Sequence, residues 1–192
     1  MSYLIGVDGG TESIRAFVFD LEGRPLASEA TAYKTEFPQP SWAEQSPQDW
    51  WICMGQSVRG AIAKSGISAA DVIAISVDTT CCSVVALDAA GNPLRPCMIW
   101  MDVRSAAEAD AVAATKDAAL RINGAGAGPV SAEWMIPKSL WIKRHQPDIF
   151  NRAARIGEYQ DYINLRLTGC GGQLPGHDGD GGTQDCHFRV CA

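Results

Sequence analysis

A chain of 192 residues, 46% hydrophobic and 20% charged, is long enough to bury a sizeable core and has the make-up of an ordinary globular protein. Its formal net charge of -6 leaves no basic footprint for neutralising phosphates, which argues against a nucleic-acid partner. No run approaches the roughly 18 apolar residues of a membrane span, and residues 1–8 lead into a strand pattern rather than a basic-then-apolar signal peptide, so a cytoplasmic protein with no membrane partner is expected.

Residues 3–8, 14–20 and about 26–36 read as strands, joined by Gly9-Gly10-Thr11-Glu12-Ser13 and Leu21-Glu22-Gly23-Arg24-Pro25. Connections this short make the neighbours antiparallel. After a proline-bearing loop over 37–45, Ser46-Pro47-Gln48-Asp49 supplies an N-cap, a proline at the first helical position and an acid in the first turn. A helix is expected from there to about Lys64, burying Trp50, Trp51, Met54, Val58, Ala61 and Ile62.

Residues 72–77 and 83–87 read as further strands, and the turn Ala90-Gly91-Asn92-Pro93 precedes a short strand over 98–100. The alanine-rich stretch 104–115 predicts a helix. Residues 124–129 form a glycine stretch whose proline ends any helix before it. An interior proline costs about 3 kcal/mol, so Pro137 forbids an uninterrupted helix over 133–141, and the next helix is expected to start near Pro137. Tyr159, Tyr162, Ile163 and Leu167 keep helical spacing up to Gly169. The seven cysteines show no disulfide spacing and read as reduced thiols, with adjacent Cys81 and Cys82 on a strand pointing to opposite faces.

The densest local signal is Asp8-Gly9-Gly10-Thr11-Glu12-Ser13 between two strands. Bare glycines let backbone N–H groups close on phosphate oxygens, Thr11 and Ser13 add hydroxyls, and Asp8 at a strand end suits magnesium held through water. The same residue types also favour a plain hairpin turn. A dinucleotide fingerprint is excluded by the glycine spacing and by the strand that follows, and the Gly-Lys-Ser/Thr ending of a P-loop is missing.

The hairpin with Arg15 and Asp20 resembles the first phosphate motif of the FGGY carbohydrate kinases. Asp78-Thr79-Thr80-Cys81-Cys82-Ser83, Trp100-Met101-Asp102-Val103-Arg104, Glu133-Trp134-Met135-Ile136-Pro137-Lys138 and residues 159–169 follow in the order of that family's ribulokinase-like branch, over about residues 3–169. The resemblance implies an α/β domain of the actin-like ATPase (ribonuclease H-like) type: a mixed sheet, its first three strands antiparallel, with helices on both faces. It implies ATP-dependent phosphorylation of a ketopentose, D-ribulose first and L-ribulose or xylulose next, with ATP and magnesium as cofactors.

Carried over position by position, Asp8, Gly9, Gly10, Thr11 and Ser13 would serve magnesium and phosphate, and Thr79, Cys81, Asp102, Arg104 and Lys138 the sugar. Read without the family, Asp102 and Arg104 are better taken as a helix cap and a solvated base, and Lys138 as an exposed first-turn lysine. Cys81 reads as a small pocket-lining or buried residue rather than a nucleophile, because no adjacent basic group would lower its pKa.

The family places its general-base aspartate, second phosphate loop and adenine pocket in a later half of the chain. Residues 1–169 are therefore expected to be an incomplete kinase N-terminal domain, with no catalytic residue of their own and no C-terminal kinase domain. A homodimer is compatible with the full-length parent. Residues 170–192 hold six glycines, three cysteines and two of the three histidines, and read as a disordered or out-of-frame tail. Within that tail Cys170, His177, Cys186, His187 and Cys191 are possible zinc ligands, and Asp178 with Asp180 echoes half a calcium loop. Two other readings of the chain stay open: a non-catalytic sugar-binding or interaction remnant, and an actin-like ATP-binding module unrelated to sugars.

Overall fold

The computed structural model describes residues 1–121 and 129–169. The expectations for the glycine stretch before Pro129 and for the 170–192 tail, including its candidate metal ligands, fall outside those residues. In chain order the elements are β1 (Tyr3–Gly9), β2 (Ser13–Phe19), β3 (Pro25–Ala32), β4 (Glu44–Gln45), α1 (Pro47–Ser65), β5 (Val72–Thr79), β6 (Val84–Leu87) and β7 (Cys97–Met98). They continue with α2 (Ala106–Ala114), α3 (Met135–His145), α4 (Pro147–Arg152), β8 (Arg155–Glu158) and α5 (Tyr159–Thr168).

Alternation along the first strands sets the stacking. Ile5, Val7, Ile14, Ala16 and Val18 are buried while their neighbours are less so, the period of two that puts one face of a sheet on a core. β1 and β2 pair antiparallel, with Val7 opposite Ala16 and Ile5 opposite Val18, and β2 pairs antiparallel with β3. β5 joins the other side of β1 in parallel, so the sheet is mixed, in the order β3-β2-β1-β5. A second sheet, β4-β7-β6-β8, is antiparallel throughout.

The N-cap signal read in the sequence acts as written. Ser46 Oγ accepts from Asp49 N–H at the start of α1, and Gly66 ends it with φ 72. The helix lies across β1, β2 and β3, tied by Ser57 Oγ donating to the Ile14 carbonyl at 2.9 Å. Trp50, Met54 and Ala61 are buried as expected, whereas Trp51, Val58 and Ile62 are half-buried and Cys53 and Ser57 join the buried stripe. α3 begins at Met135 rather than Pro137, because a proline in the first turn lacks an N–H that would be unpaired there anyway.

Trp50 stacks on Tyr159 with ring centroids 3.7 Å apart, which fastens α5 to α1 and joins both sheets in one core. α1 and α5 both lie on the Val7–Ala16 face of the first sheet, while α2 and α4 pack on α3 and α3 on the second sheet. The opposite face of the first sheet carries Leu4, Arg15, Phe17 and Phe19, with exposed Ala74, Ser76 and Asp78 on β5. Among the described residues no helix is long and apolar enough to cross a membrane.

Candidate functional site

The hairpin between β1 and β2 is held from three sides. Gly10 N–H donates to Ser13 O at 3.1 Å, closing the turn, and the Tyr33 hydroxyl donates to the Gly10 carbonyl. Gln45 Nε2 donates to Thr11 O at 2.7 Å while its Oε1 accepts from Trp50 Nε1 at 2.9 Å. Trp100 Nε1 donates to Thr11 Oγ1 at 3.0 Å. Gly9 has no room for a side chain, since a Cβ there would sit 3.0 Å from the Tyr159 ring and 3.1 Å from Thr79 Cγ2. Burial holds the Tyr33 phenol up at about 12, so it stays a neutral donor.

The loop after β5 meets the hairpin at the same end of the sheet, with Thr80 N–H donating to the Gly9 carbonyl at 3.0 Å. Lys138 lies beneath it, fully buried, and Nζ donates to the carbonyls of Cys82 and Ile99, each at 2.7 Å. Burial lowers its pKa from 10.5. From the other side Glu158 Oε2 accepts from Cys82 N–H at 3.0 Å. One buried ammonium thus sets both the β5–β6 loop and the segment leading to Trp100.

Asp102 and Arg104 are buried as an ion pair rather than standing at a surface. Asp102 Oδ2 accepts from Ala43 N–H at 2.7 Å and from Arg104 Nη2 at 2.6 Å. Arg104 reaches Glu44 at 2.7 Å, which also binds Arg95 at 2.6 Å. The Arg104 guanidinium lies 3.6 Å from the centroid of the Trp42 ring. Next to this cluster, residues 37–43 and Met101 line a groove of about 500 Å³.

Comparison with known proteins decides what this arrangement belongs to. Residues 3–176 match the profile of the FGGY family of carbohydrate kinases, N-terminal domain. This chain belongs to the FGGY family. Over 87% of its length it is 34% identical to a ribulokinase of Geobacillus thermodenitrificans (strain NG80-2), of which it covers 34%. It is 29% identical to a xylulose kinase of Escherichia coli (strain K12), over 86% of this chain and 33% of that protein. The crystal structure of a xylulose kinase from Rhodospirillum rubrum superposes with a TM-score of 0.78 at 30% identity, over 87% of this chain and 34% of that one. The chain therefore spans about a third of the length of the relatives it matches.

Among the FGGY motif residues, the structure gathers Asp8, Gly9, Gly10, Thr11 and Ser13 with Thr79 and Cys81 at one end of the first sheet. Asp102, Arg104 and Lys138 lie in the interior behind these loops, with Asp102 Oδ2, Arg104 Nη2 and Lys138 Nζ bonded to protein partners. Tyr33, Gln45, Trp100 and Glu158 join the site without having been singled out as site residues. Their partners are 23 to 89 residues away in sequence, so only the fold brings them together. Trp100 stood inside a family-like motif and offered the one signal for its role.

Asp8 carries its carboxylate half-exposed beside the hairpin, with Oδ2 on Arg15 at 2.7 Å. Carboxylate and hydroxyl oxygens are donor types that magnesium takes alongside phosphates and water, and Asp8, Thr11 and Ser13 supply them along this one turn.

Proposed function

We propose that this chain forms the sugar-side lobe of an ATP-dependent pentulose kinase, with D-ribulose as the preferred acceptor and L-ribulose or xylulose next. The observation that carries the proposal is the meeting of three loops: the Gly9–Ser13 hairpin is hydrogen-bonded to the loop after β5 through Thr80 and to the Trp100 loop through Thr11. A phosphate cradle and a polar pocket that touch one another are what in-line transfer to a hydroxyl needs. The 34% identity to a ribulokinase favours ribulose over the other sugars.

In this reading Gly9, Gly10, Thr11 and Ser13 turn backbone N–H groups and hydroxyls toward phosphate, and Asp8 holds magnesium through water. The ion, when bound, neutralises charge on the phosphates. Thr79 and Cys81 line the sugar pocket, while Asp102, Arg104 and Lys138 shape it by fixing the loops around it. Because the chain covers about a third of its relatives, the proposal for the chain alone is binding without turnover, in the cytoplasm. A second reading is a non-catalytic sugar-binding or interaction remnant, in which the loop with Thr79 and Cys81 binds sugar without phosphoryl transfer.

The test is a thermal-shift series with D-ribulose, L-ribulose, D-xylulose and glycerol, run beside a coupled assay for ADP release. Stabilisation ordered with D-ribulose first, and no sugar-dependent ADP release, is expected. Stabilisation by ATP-magnesium with none by any sugar would support the actin-like nucleotide module instead, and sugar-dependent turnover would rule out the remnant.

A further inference from the structure

The bend between β5 and β6 brings two thiols to one place. Cys81 is exposed and Cys82 half-buried, and Cys82 has φ 58, a left-handed conformation uncommon for a residue with a Cβ. Consecutive side chains of an extended strand point to opposite faces. Here Cys82 is left-handed rather than extended, so the opposite-face rule does not hold for the pair, and the neighbouring Cys81 thiol contributes to raising the pKa of Cys82.

The turn is clamped on both sides of the same residue. Cys82 N–H donates to Glu158 Oε2 at 3.0 Å, and the Cys82 carbonyl accepts from Lys138 Nζ at 2.7 Å. Backbone held in a sparsely populated region persists only where its surroundings impose it. The pair is thus presented in a fixed arrangement, with one sulfur open to solvent.

We propose that Cys81 and Cys82 form a bidentate site for a soft, thiophilic Lewis acid of the trivalent arsenical class. Soft thiolate donors select soft centres. Among the described residues no set of three His, Cys, Asp or Glu side chains converges on a metal position, so four-coordinate zinc lacks its ligands. An organoarsenic(III) oxide needs two sulfurs only and brings its third substituent with it. In the capture step two As–S bonds form, both S–H bonds and the arsenic–oxygen bonds break, and the oxygen leaves as water with the two thiol protons. Arsenic stays trivalent and no electrons are exchanged.

Two further observations separate this chemistry from its competitors. Burial, helped by Cys81 and Glu158, pushes the Cys82 thiol up to about 12, which disfavours reagents that require a thiolate. Condensation with an arsenic oxide supplies its own proton acceptor. A disulfide between neighbours would span Cα atoms about 3.8 Å apart across a trans peptide, below the roughly 4.4–6.8 Å of ordinary bridges, and would be strained.

The test treats the reduced 192-residue chain with phenylarsine oxide and follows the adduct by intact mass. Alkylation of unprotected cysteines and peptide mapping then locate it. Protection of both Cys81 and Cys82 is expected, with an adduct that survives excess glutathione and is stripped by 2,3-dimercaptopropanol. In Cys81→Ser and Cys82→Ser, each a change in the bend, retention in glutathione should fall by roughly 10²-fold or more, the loss of a second, tethered donor. Protection of a different cysteine pair, or an adduct in either variant as resistant as in the wild type, would overturn the proposal.

Discussion

Asp102 and Arg104 show how little a two-residue spacing says about exposure. In the fold they join Glu44 and Arg95 in a buried cluster beside Trp42 and Trp141, and burial lowers the pKa of Arg95 from 12.5. Among the described residues Arg95 Nε and Nη1 and Arg104 Nη1 have no hydrogen-bond partner, so the cluster has no reserve of acceptors. Removing one partner from a buried ion pair strands the other, and Asp102→Ala is expected to cost about 3–5 kcal/mol, read as a lowered midpoint in urea unfolding. Glu158 offers a pH-dependent counterpart. Burial raises its pKa above 4.5, opposed by Cys82 N–H and Lys138. The folded state then binds more protons than the unfolded one from about pH 4.5 up to the folded value, so stability falls as pH rises through that window. Glu158→Gln keeps an acceptor for Cys82 without the charge. Its stability relative to wild type should be higher at pH 7 and should converge below about pH 4.5, measured as unfolding midpoints across pH. An unchanging difference would assign Glu158 a purely geometric role.

At the scale of elements, local chemistry decided most of the outcome. Ser46, Pro47 and Gly66 start and stop α1 by capping physics that needs no distant partner. Ser46→Ala is expected to destabilise the protein by about 1 kcal/mol, and Ser46→Asp to restore most of it, both by denaturant titration. Gly169 ends α5 with φ 65 for the same local reason. The pieces that were not legible are short. α4 has six residues and β8 four, and β8 is a strand only because residues 155–158 pair with β6. The thiol pair was misread for a related reason: Cys81 and Cys82 look like strand residues until Glu158 and Lys138, far along the chain, bend the backbone at Cys82.

For the molecule as a whole, α1 and α5 cover the Val7–Ala16 face of the first sheet. Its outer strand β5 leaves Ile73 62% and Ile75 40% exposed. An uncovered strand edge with apolar side chains invites pairing with other chains, so concentration-dependent association is expected in light scattering. Ile75→Lys should reduce it without lowering the unfolding midpoint by more than about 0.5 kcal/mol. The mixed α/β class, the antiparallel start, the capped start of α1 and the kinase family are legible in the sequence, because alternation, caps and ordered motifs are written in neighbouring residues. Which polar residues face outward depends on tertiary contacts. Thr79 ends β5 and Cys81 lies in the loop after it, while Asp102, Arg104 and Lys138 are drawn inside, each paired with atoms supplied by other segments. Burial of a charge depends on what the chain folds over it, and that is settled by contacts between elements rather than by the residues on either side.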